Sequence, residues 1–263
     1  MGSLSAVVLS YNEATMLEIT LPAVRRAVDQ IVVLDMESDD GSDLLYRDIL
    51  APHDIVVKYP RRNLFDFGFA HARNFGACFA NGDWLIAIDA DELVHPEELC
   101  KFRSKNLGAM RTLRVRRRNY LPSEGVGLAD VDKLMTAGEY SEEWHCRIAR
   151  NSPIIQWQGI LHEEIWDGAA TAFATSEDSG LIFHHLNAFK DSPVRDKLEL
   201  YYYLTLKAVA YPRFQYGTNP YWYTEFATAH LPMLLDHADA FCRRHGLDLL
   251  PKALIERRLI PPL

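Results

Sequence analysis

Two carboxylates separated by one residue, Asp89 and Asp91, follow directly after the apolar run at residues 84–88. Carboxylate oxygens suit magnesium and manganese, and a bound divalent ion can neutralise charge that builds on a leaving phosphate group. In an extended chain, residues i and i+2 project to the same side, so both carboxylates can approach one cation. The spacing is compatible with a divalent-metal site here, although an isolated Asp-x-Asp is more often a solvated acidic turn.

The segments around this turn alternate between strand-length apolar runs and stretches with helical spacing of apolar residues. Three apolar runs stop at a polar residue: Ser10, Asp35 and Asp89. In open parallel sheets, ligands bind outside the carboxyl ends of the strands, so we expect these residues to lie close together. The pattern predicts a doubly wound α/β sheet. Its strands are expected at 4–9, 31–34, 55–57 and 84–88, and its helices at 13–28, at 69–79 and from Pro96 onward.

After Leu107 the pattern changes to longer segments that are typical of antiparallel pairing. The predicted fold class is therefore α/β, with a mixed central sheet flanked by helices and a C-terminal helical extension. We divide the chain into residues 1–107, 108–190 and 191–263, the first two being halves of one domain. The later strands are expected at 112–117, 144–148, 160–165 and 181–185. One helix should begin at Ser192-Pro193 and run to Tyr211. Another should run from Thr224 to Gly246, where glycine permits a left-handed stop.

The composition limits the classes of function. The chain has 263 residues and a formal charge of -8, which argues against a protein that neutralises a nucleic-acid backbone. The basic run 114–118 either meets phosphate or is a solvated strand edge. The four cysteines form no Cys-x-x-Cys pair, which favours a reducing compartment. No secretion leader and no run of about 18 apolar residues is visible, so we expect a cytoplasmic protein without a transmembrane segment.

The Asp-x-Asp turn is the last of several short motifs that follow one another along the chain. Residues 72–76 read Ala-Arg-Asn-Phe-Gly, 82–84 read Gly-Asp-Trp and 89–92 read Asp-Ala-Asp-Glu. This series resembles that of family 2 inverting glycosyltransferases, which have the GT-A (Rossmann-like) fold. Residues 10–13 and 35–42 are similar to the first two nucleotide-binding motifs of that family, except that Met and Glu at 36 and 37 replace the more usual small residues. Looser matches at 147–150, 161–163 and 183–185 resemble lipopolysaccharide-core glucosyltransferase-like members of the family.

The resemblance implies a nucleotide-sugar donor, with uridine as the expected base, and a divalent cation, Mn²⁺ or Mg²⁺. It implies that Asp91 binds the metal and that Asp89 lies near both ribose and metal. A late histidine, His184 or His185, is a further metal ligand, and only one of these neighbours can face inward on a strand. The residues expected to hold the donor are Ser10, Tyr11, Asn12, Glu13, Asp35, Arg73, Asp89 and Ala90.

Inverting transfer needs a base that takes the proton of the acceptor hydroxyl during in-line attack, and a carboxylate can do this work. Glu163 is our first choice. The acidic pair Glu142 and Glu143 could instead match the position that supplies the base in many relatives. Aromatic residues are dense in the second half, and those that are not core could stack on the apolar faces of an acceptor sugar. They are Tyr120, Trp144, Trp157, Trp166, Tyr201 to Tyr203 and Tyr221 to Tyr223.

The sequence therefore predicts a metal-dependent glycosyltransferase that uses a nucleoside-diphosphate sugar. Its acceptor could be a glycan, a lipid-linked molecule or a small molecule, and the oligomeric state is left open between a monomer and a homodimer. One alternative is a non-catalytic domain that binds a nucleotide-sugar or glycan. Another is a sugar-phosphate nucleotidyltransferase, which should instead open with a glycine-rich basic loop. A phosphatase that uses Asp-x-Asp should carry the motif after its first strand, not its fourth.

Overall fold

Eleven strands and eight α-helices are assigned within the residues that the computed structural model describes, which are 2–121, 127–190, 194–214 and 221–259. The predicted strands at 4–9, 31–34, 55–57 and 84–88 are all present. The strands are β1 (Leu4–Ser10), β2 (Gln30–Asp35), β3 (Ile55–Lys58), β4 (Trp84–Asp89), β5 (Glu92–Val94), β6 (Thr112–Tyr120), β7 (Tyr140–Arg150), β8 (Ile155–Gln158), β9 (Glu164–Asp167), β10 (Ala170–Thr171) and β11 (Glu177–His185).

The helices alternate with the strands in the first half of the chain and dominate its end. The helix predicted from Pro96 begins at that residue, whose missing N–H costs nothing in a first helical turn. The short helix α2 was not predicted, because it has only eight residues and buries only Ser42 and Tyr46. The helices are α1 (Ala14–Arg25), α2 (Ser42–Ile49), α3 (Arg61–Ala77), α4 (Pro96–Arg103), α5 (Val131–Ala137), α6 (Val194–Ala210), α7 (Phe226–Arg244) and α8 (Lys252–Leu259).

Eight strands form one mixed sheet in the order β3-β2-β1-β4-β7-β6-β11-β5. Strands β1 to β4 are parallel, whereas β7 runs antiparallel to both β4 and β6. The strands β1 and β2 are buried along their whole length, as continuous apolar runs in a parallel sheet should be. The predicted α/β class with a mixed central sheet is confirmed. A separate sheet has the order β10-β9-β8.

The register of the parallel strands brings three strand ends to one edge. Ser10 is paired with Asp35 on β2, and its neighbour Leu9 is paired with Asp89 on β4. The polar residues that end these strands therefore lie side by side. This confirms the convergence that the strand ends predicted.

The chain divides into two compact units. Unit 1 comprises residues 1–61, 72–156 and 165–191, and unit 2 comprises 62–71, 157–164 and 192–263. Unit 1 contains the eight-stranded sheet, and its main core joins β1, β2 and β4 to α1 and α4 through residues such as Leu21, Ile86 and Phe102. The division at 107 and 190 stays a prediction.

Unit 2 contains α6, α7 and α8, which form the expected C-terminal helical extension. Its core includes Phe65, whose ring meets that of Phe241 edge-on with the centroids 5.0 Å apart. The Lys207 ammonium donates to the Phe65 carbonyl at 2.6 Å. Gly246 has a φ of 60°, so the predicted left-handed stop after α7 is confirmed. The predicted cap at Ser192-Pro193 lies outside the described residues.

The strand expected at 160–165 is wrong. Residues 159–163 form an irregular segment in which Gly159 and His162 have φ angles of 107° and 54°, and β9 begins only at Glu164. Positive φ is incompatible with an extended ladder, so the apolar pattern of this segment reflects burial of Ile160 and Leu161 rather than a strand. Within the described ranges, none of the helices is both long and apolar enough to cross a membrane.

Candidate functional site

The loops that follow β1 and β2 are tied to each other at the convergent edge of the sheet. Asn12 Nδ2 donates to Asp39 Oδ1 at 2.8 Å, and the Asp39 N–H donates back to Asn12 Oδ1 at 2.9 Å. The Ala14 N–H donates to Asp40 Oδ2 at 2.7 Å. Asn12 and Glu37 have φ angles of 51° and 65°. Such conformations are unfavourable for residues other than glycine and cluster at ligand sites, which makes this edge a candidate binding site.

The Tyr11 ring, predicted to lie beside the nucleoside, is held by a cation. The Arg61 guanidinium stacks on the ring 3.7 Å from its centroid, and Arg61 Nη1 donates to the Tyr11 hydroxyl at 2.7 Å. The Arg61 N–H donates to Glu37 Oε2 at 3.0 Å. The loops after β1 and β2 therefore share this arginine.

Ser10 and Asp35, two of the predicted donor contacts, are buried at the strand ends. Asp35 Oδ1 accepts a hydrogen bond from the Ser38 N–H at 2.8 Å, and Asp35 Oδ2 lies 3.1 Å from Lys58 Nζ. The Asp35 carboxylate thus organises the loop after β2. Contact of this carboxylate with the base of a donor stays a prediction.

The chain turns at Ala90 instead of continuing as an extended strand. The Ala90 N–H donates to the Leu9 carbonyl at 3.1 Å, and the Ala90 carbonyl accepts from Thr20 Oγ1 at 2.8 Å. Since the turn breaks the alternation of side chains, the extended geometry assumed for the two carboxylates is wrong. Asp89 and Asp91 instead face different cationic partners.

Asp89 lies between two arginines. Its Oδ1 is 2.8 Å from Arg73 Nη2 and its Oδ2 is 3.1 Å from Arg147 Nη2. Burial alone would raise the pKa of Asp89, but the two guanidinium groups outweigh burial and hold this pKa well below its usual range. The buried Glu92 fixes the arrangement, because Glu92 Oε2 accepts from the Asp89 N–H at 3.0 Å and Glu92 Oε1 lies 3.1 Å from Arg147 Nη2. The result is a rigid, cation-rich centre beside the turn.

Asp91 is buried and faces a lysine and a histidine. Lys190 Nζ lies 2.6 Å from Asp91 Oδ2, and the same ammonium makes a close ion pair with Glu13 Oε1. His185 Nε2 is 3.5 Å from Asp91 Oδ2. Three predicted site residues, Glu13, Asp91 and His185, therefore surround one point in the structure.

The two neighbouring histidines face opposite sides of β11, as the strand period requires. His184 is buried, and its Nδ1 is 2.7 Å from the Tyr120 hydroxyl; burial lowers the pKa of His184 to about 4. His185 Nδ1 is 2.7 Å from Asn119 Oδ1, and Asn119 Nδ2 donates to Glu143 Oε1 at 2.9 Å. The structure thus brings His185, and not His184, to Asp91.

Glu142 and Glu143, the alternative bases, lie opposite the basic run of β6. Glu143 Oε1 lies 3.2 Å from His145 Nε2 and also contacts Arg117. The hydrogen bond with His145 is the largest cause of a pKa of Glu143 well below its usual range. Glu142 Oε2 accepts from Arg118 Nε at 3.1 Å. The basic run is therefore paired with cross-strand carboxylates. Its interpretation as a solvated strand edge is wrong, because β6 lies inside the sheet between β7 and β11.

Glu163, the first-choice base, belongs to unit 2 and lies half-buried in the irregular segment before β9. The preceding residue, His162, has a φ of 54°, and the Tyr223 hydroxyl donates to the Leu161 carbonyl in a close hydrogen bond. Burial raises the pKa of Tyr223, and the charges of Glu163 and Glu164 add to this effect. This segment is therefore held in an unusual conformation by unit 2 itself.

An apolar cavity of about 130 Å³ lies in unit 2 beside this segment. Of the three consecutive tyrosines, Tyr201 and Tyr202 line it, whereas Tyr203 is buried. Tyr120 and Trp157 are also buried, and Trp144 stacks on Arg114 at 4.8 Å. The side chains of Tyr221 and Trp222 lie outside the described residues. The cavity is lined by Leu161, His162, Leu198, Tyr201, Tyr202, Thr205 and Phe226.

Five residues of the site were missed by sequence reasoning. Arg147 lies in a motif that was noted, and Glu92 directly follows the Asp-x-Asp turn, so both had a local signal. Arg117 lies in the basic run 114–118, which was also noted. Asn119 and Lys190 had no local signal, because their partners are distant in sequence. The missed residues are Glu92, Arg117, Asn119, Arg147 and Lys190.

Comparison with known proteins identifies the part of the chain that carries this site. The sequence model of glycosyl transferase family 2 matches residues 5–105. These residues form a family 2 glycosyltransferase region. They include β1 to β4 and the Asp89 to Asp91 turn. The predicted family resemblance is thereby confirmed for residues 5–105.

Curated relatives match over part of the chain. An uncharacterized glycosyltransferase of Rickettsia bellii (strain RML369-C) is 30% identical over 94 residues, which are 36% of this chain and 29% of that protein. The TPR repeat-containing protein Synpcc7942_0270 of Synechococcus elongatus is 26% identical over 167 residues, or 64% and 36% of the two chains. The chain thus spans about a third of the length of the curated relatives it matches.

Among solved structures, the mannosyltransferase PcManGT of Pyrobaculum calidifontis, in complex with GDP-Man and Mn²⁺, has a TM-score of 0.46 at 17% identity, covering 97% of this chain and 79% of its own.

Proposed function

We propose that the protein transfers a glycosyl group from a nucleoside-diphosphate sugar, with UDP-sugars as the donor class, to an acceptor hydroxyl with inversion. One observation carries the proposal: Asp91, which belongs to the family 2 region, faces His185, while the nearby Asp89 is held by Arg73 and Arg147. This arrangement combines a carboxylate–imidazole pair with two guanidinium groups. Such groups suit a donor diphosphate, which carries several negative charges.

The chemistry of Asp91 and His185 fits a divalent metal. Because Asn119 Nδ2 donates to Glu143, Asn119 Oδ1 is the atom that accepts from His185 Nδ1–H. In this tautomer the lone pair of His185 is on Nε2, which points toward Asp91. A carboxylate oxygen and an imidazole nitrogen are both ligands for Mn²⁺. In the part of the chain that the structure describes, no three His, Cys, Asp or Glu side chains form a complete metal site, so donor phosphate oxygens and water would complete the shell.

When bound, the metal would offset the charge that develops on the departing nucleoside diphosphate. The residues of the chain have separate tasks. Arg73 and Arg147 present cationic donors next to the Asp89 carboxylate. Tyr11 offers a ring surface beside the loops after β1 and β2. Glu163 takes the proton from the acceptor hydroxyl, because the low pKa of Glu143 makes that carboxylate a weak base.

Release of nucleoside diphosphate tests this function. We would incubate the protein with Mn²⁺, a panel of UDP-, GDP- and dTDP-sugars and candidate acceptors. We expect turnover with a UDP-sugar, and we expect Asp91→Asn to lose it, because an amide cannot replace the charge of this metal ligand. Asp48→Asn, a charge-matched change at an exposed residue of α2, should keep full activity. Tight donor binding without turnover for any acceptor would point instead to a non-catalytic nucleotide-sugar-binding protein.

A further inference from the structure

Lys190 has an unusual position for a lysine. Its ammonium bridges two carboxylates from separate segments, Glu13 after β1 and Asp91 after β4. All three side chains are largely buried, with exposed fractions of 10% for Lys190, 18% for Glu13 and 4% for Asp91. The Coulomb attraction within an ion pair grows when water is excluded, and loss of one partner of a buried pair is costly. Lys190 therefore supplies a positive charge at Asp91.

The backbone around Lys190 sets this position. The Leu186 N–H donates to the Asp91 carbonyl at 2.9 Å, which anchors the end of β11 to the Asp-x-Asp turn. A short 3₁₀ turn at residues 187–189 follows, and the Lys190 N–H donates to the Asn187 carbonyl at 3.4 Å. The anchor and the turn bring Lys190 back to the same carboxylate that His185 faces. Three residues of one segment, His185, Leu186 and Lys190, thus converge on Asp91.

A metal bound at Asp91 and the Lys190 ammonium would both contact the same carboxylate oxygen, Asp91 Oδ2. Both candidate ligands direct lone pairs at one region, since Asp91 Oδ2 and His185 Nε2 are only 3.5 Å apart. A cation beside Asp91 Oδ2 reduces the repulsion between these lone pairs. Lys190 Nζ, at 2.6 Å from Asp91 Oδ2, already supplies a positive charge there. A divalent ion bound to Asp91 would place a second positive charge close to this ammonium, which is unfavourable at low local dielectric.

We propose that Lys190 competes with a divalent metal for the carboxylate of Asp91. When no metal is bound, the Lys190 ammonium forms the ion pair with this carboxylate. Metal binding then requires the Lys190–Asp91 contact to break, while the contact of Lys190 with Glu13 can persist. The lysine lowers the affinity of the protein for metal alone and offsets part of the charge of the two buried carboxylates. This inference rests on the metal-binding part of the proposed function and adds a residue that opposes it.

Direct measurement of Mn²⁺ binding tests the competition without any donor, acceptor or turnover. We would titrate the full chain with Mn²⁺ and follow the loss of the free-ion signal by electron paramagnetic resonance. The test variant is Lys190→Gln, which removes the charge and keeps hydrogen-bonding capacity. Lys190→Met serves as a second neutral variant, and Lys101→Gln makes the same change of charge at an exposed lysine of α4.

We expect Mn²⁺ to bind Lys190→Gln at least about tenfold more tightly than wild type, because no buried ion pair has to break. Lys101→Gln should match wild type. Mn²⁺ should also raise the melting temperature of the Lys190 variants more than that of wild type, a readout that serves even if they are destabilised. Equal or weaker Mn²⁺ affinity in both Lys190 variants would overturn the inference.

Asp91→Asn separates this inference from the proposed function. If Asp91→Asn abolishes Mn²⁺ binding in wild type and in Lys190→Gln, the metal site at Asp91 is present, and the Lys190 comparison alone decides the competition. If Asp91→Asn leaves Mn²⁺ binding intact in both backgrounds, the metal does not use Asp91 and both proposals fail. Tighter Mn²⁺ binding by Lys190→Gln without glycosyl transfer would support the competition and contradict only the transferase activity.

Discussion

Asp89 and Asp91 are separated by one residue, yet their carboxylates have different electrostatic surroundings. Asp89 is compensated by Arg73 and Arg147, and Arg147 is in turn held by the buried Glu92. This network leaves the arginines little freedom to rearrange. Asp91 instead contacts a lysine on a long flexible stem, so its partner can move. We infer that Asp89 positions fixed cations, whereas Asp91 exchanges one cation for another.

The base is the residue whose role is most directly open to test. We expect Glu163→Gln to bind donor with wild-type affinity while its kcat falls by about a hundredfold or more, since a positioned general base contributes roughly 10²–10⁴-fold. Steady-state kinetics with a separate measurement of donor affinity would check this. Glu164→Gln is the matched control, because it makes the same change at the neighbouring half-buried residue. Unchanged turnover in Glu163→Gln would move the base to Glu142 or Glu143.

At the scale of elements, the kink in α3 depends on a single glycine. Gly68 has φ 79° and ψ -173°, a conformation that is essentially restricted to glycine. The kink lets the next residue, Phe69, donate its N–H to the Ile160 carbonyl at 3.0 Å. A Cβ on Gly68 would overlap the Ile160 backbone. The glycine is thus needed both for its dihedral angles and for the close approach of two segments of unit 2.

We expect Gly68→Ala to lower the free energy of unfolding by about 3 kcal/mol or more, through backbone strain and the steric overlap. Gly108→Ala is the matched control: Gly108 also has a positive φ, 50°, but a Cβ there meets nothing within 4 Å. The control should lose only about 1 kcal/mol, the cost of a left-handed conformation. Urea unfolding of both variants measures the difference. Equal losses would show that the close approach to Ile160 is unimportant.

The elements that the sequence predicted well are those with a strong local pattern. Strands β1, β2 and β4 are long apolar runs, and α4 carries proline in its first turn. Strand β5 was missed because it has only three residues. The segment at 159–163 was misassigned because burial by surrounding helices makes its apolar residues look like a strand. Local patterns fail where tertiary contacts determine the backbone.

In the candidate site, too, features set by local sequence patterns were predicted and features set by tertiary contacts were not. The turn at Asp89 to Asp91 and the convergence of strand ends follow from pattern and topology. Lys190 could not be predicted, because a single lysine after β11 has no motif and its partner Asp91 lies about a hundred positions earlier. The choice between His184 and His185 needed the actual register of β11, which the period of two alone leaves ambiguous.

At the scale of the whole molecule, the chain passes between the two units five times, at residues 61/62, 71/72, 156/157, 164/165 and 191/192. Unit 2 is therefore assembled from two short internal segments and the C-terminal helices. Within it, Phe65 packs on Phe241, and Leu161 accepts a hydrogen bond from Tyr223. A predicted boundary at 190 would separate these partners. The C-terminal region should accordingly not behave as an independent appendage.

We expect residues 1–190 alone not to reach the native state. Without α6 to α8, the buried side chains of Leu64, Phe65, Ile160 and Leu161 lose their cover within unit 2. Exposure of each costs about 1.5–3 kcal/mol, and the sum is comparable to the whole stability of an ordinary domain, about 5–15 kcal/mol. The fragment should bind a hydrophobic dye strongly and lack a cooperative thermal transition. Addition of residues 191–263 as a separate polypeptide should reduce dye binding, because it restores the missing partners. A fragment 1–190 that melts cooperatively at the temperature of the full chain would show that the short internal segments are stable without the helices.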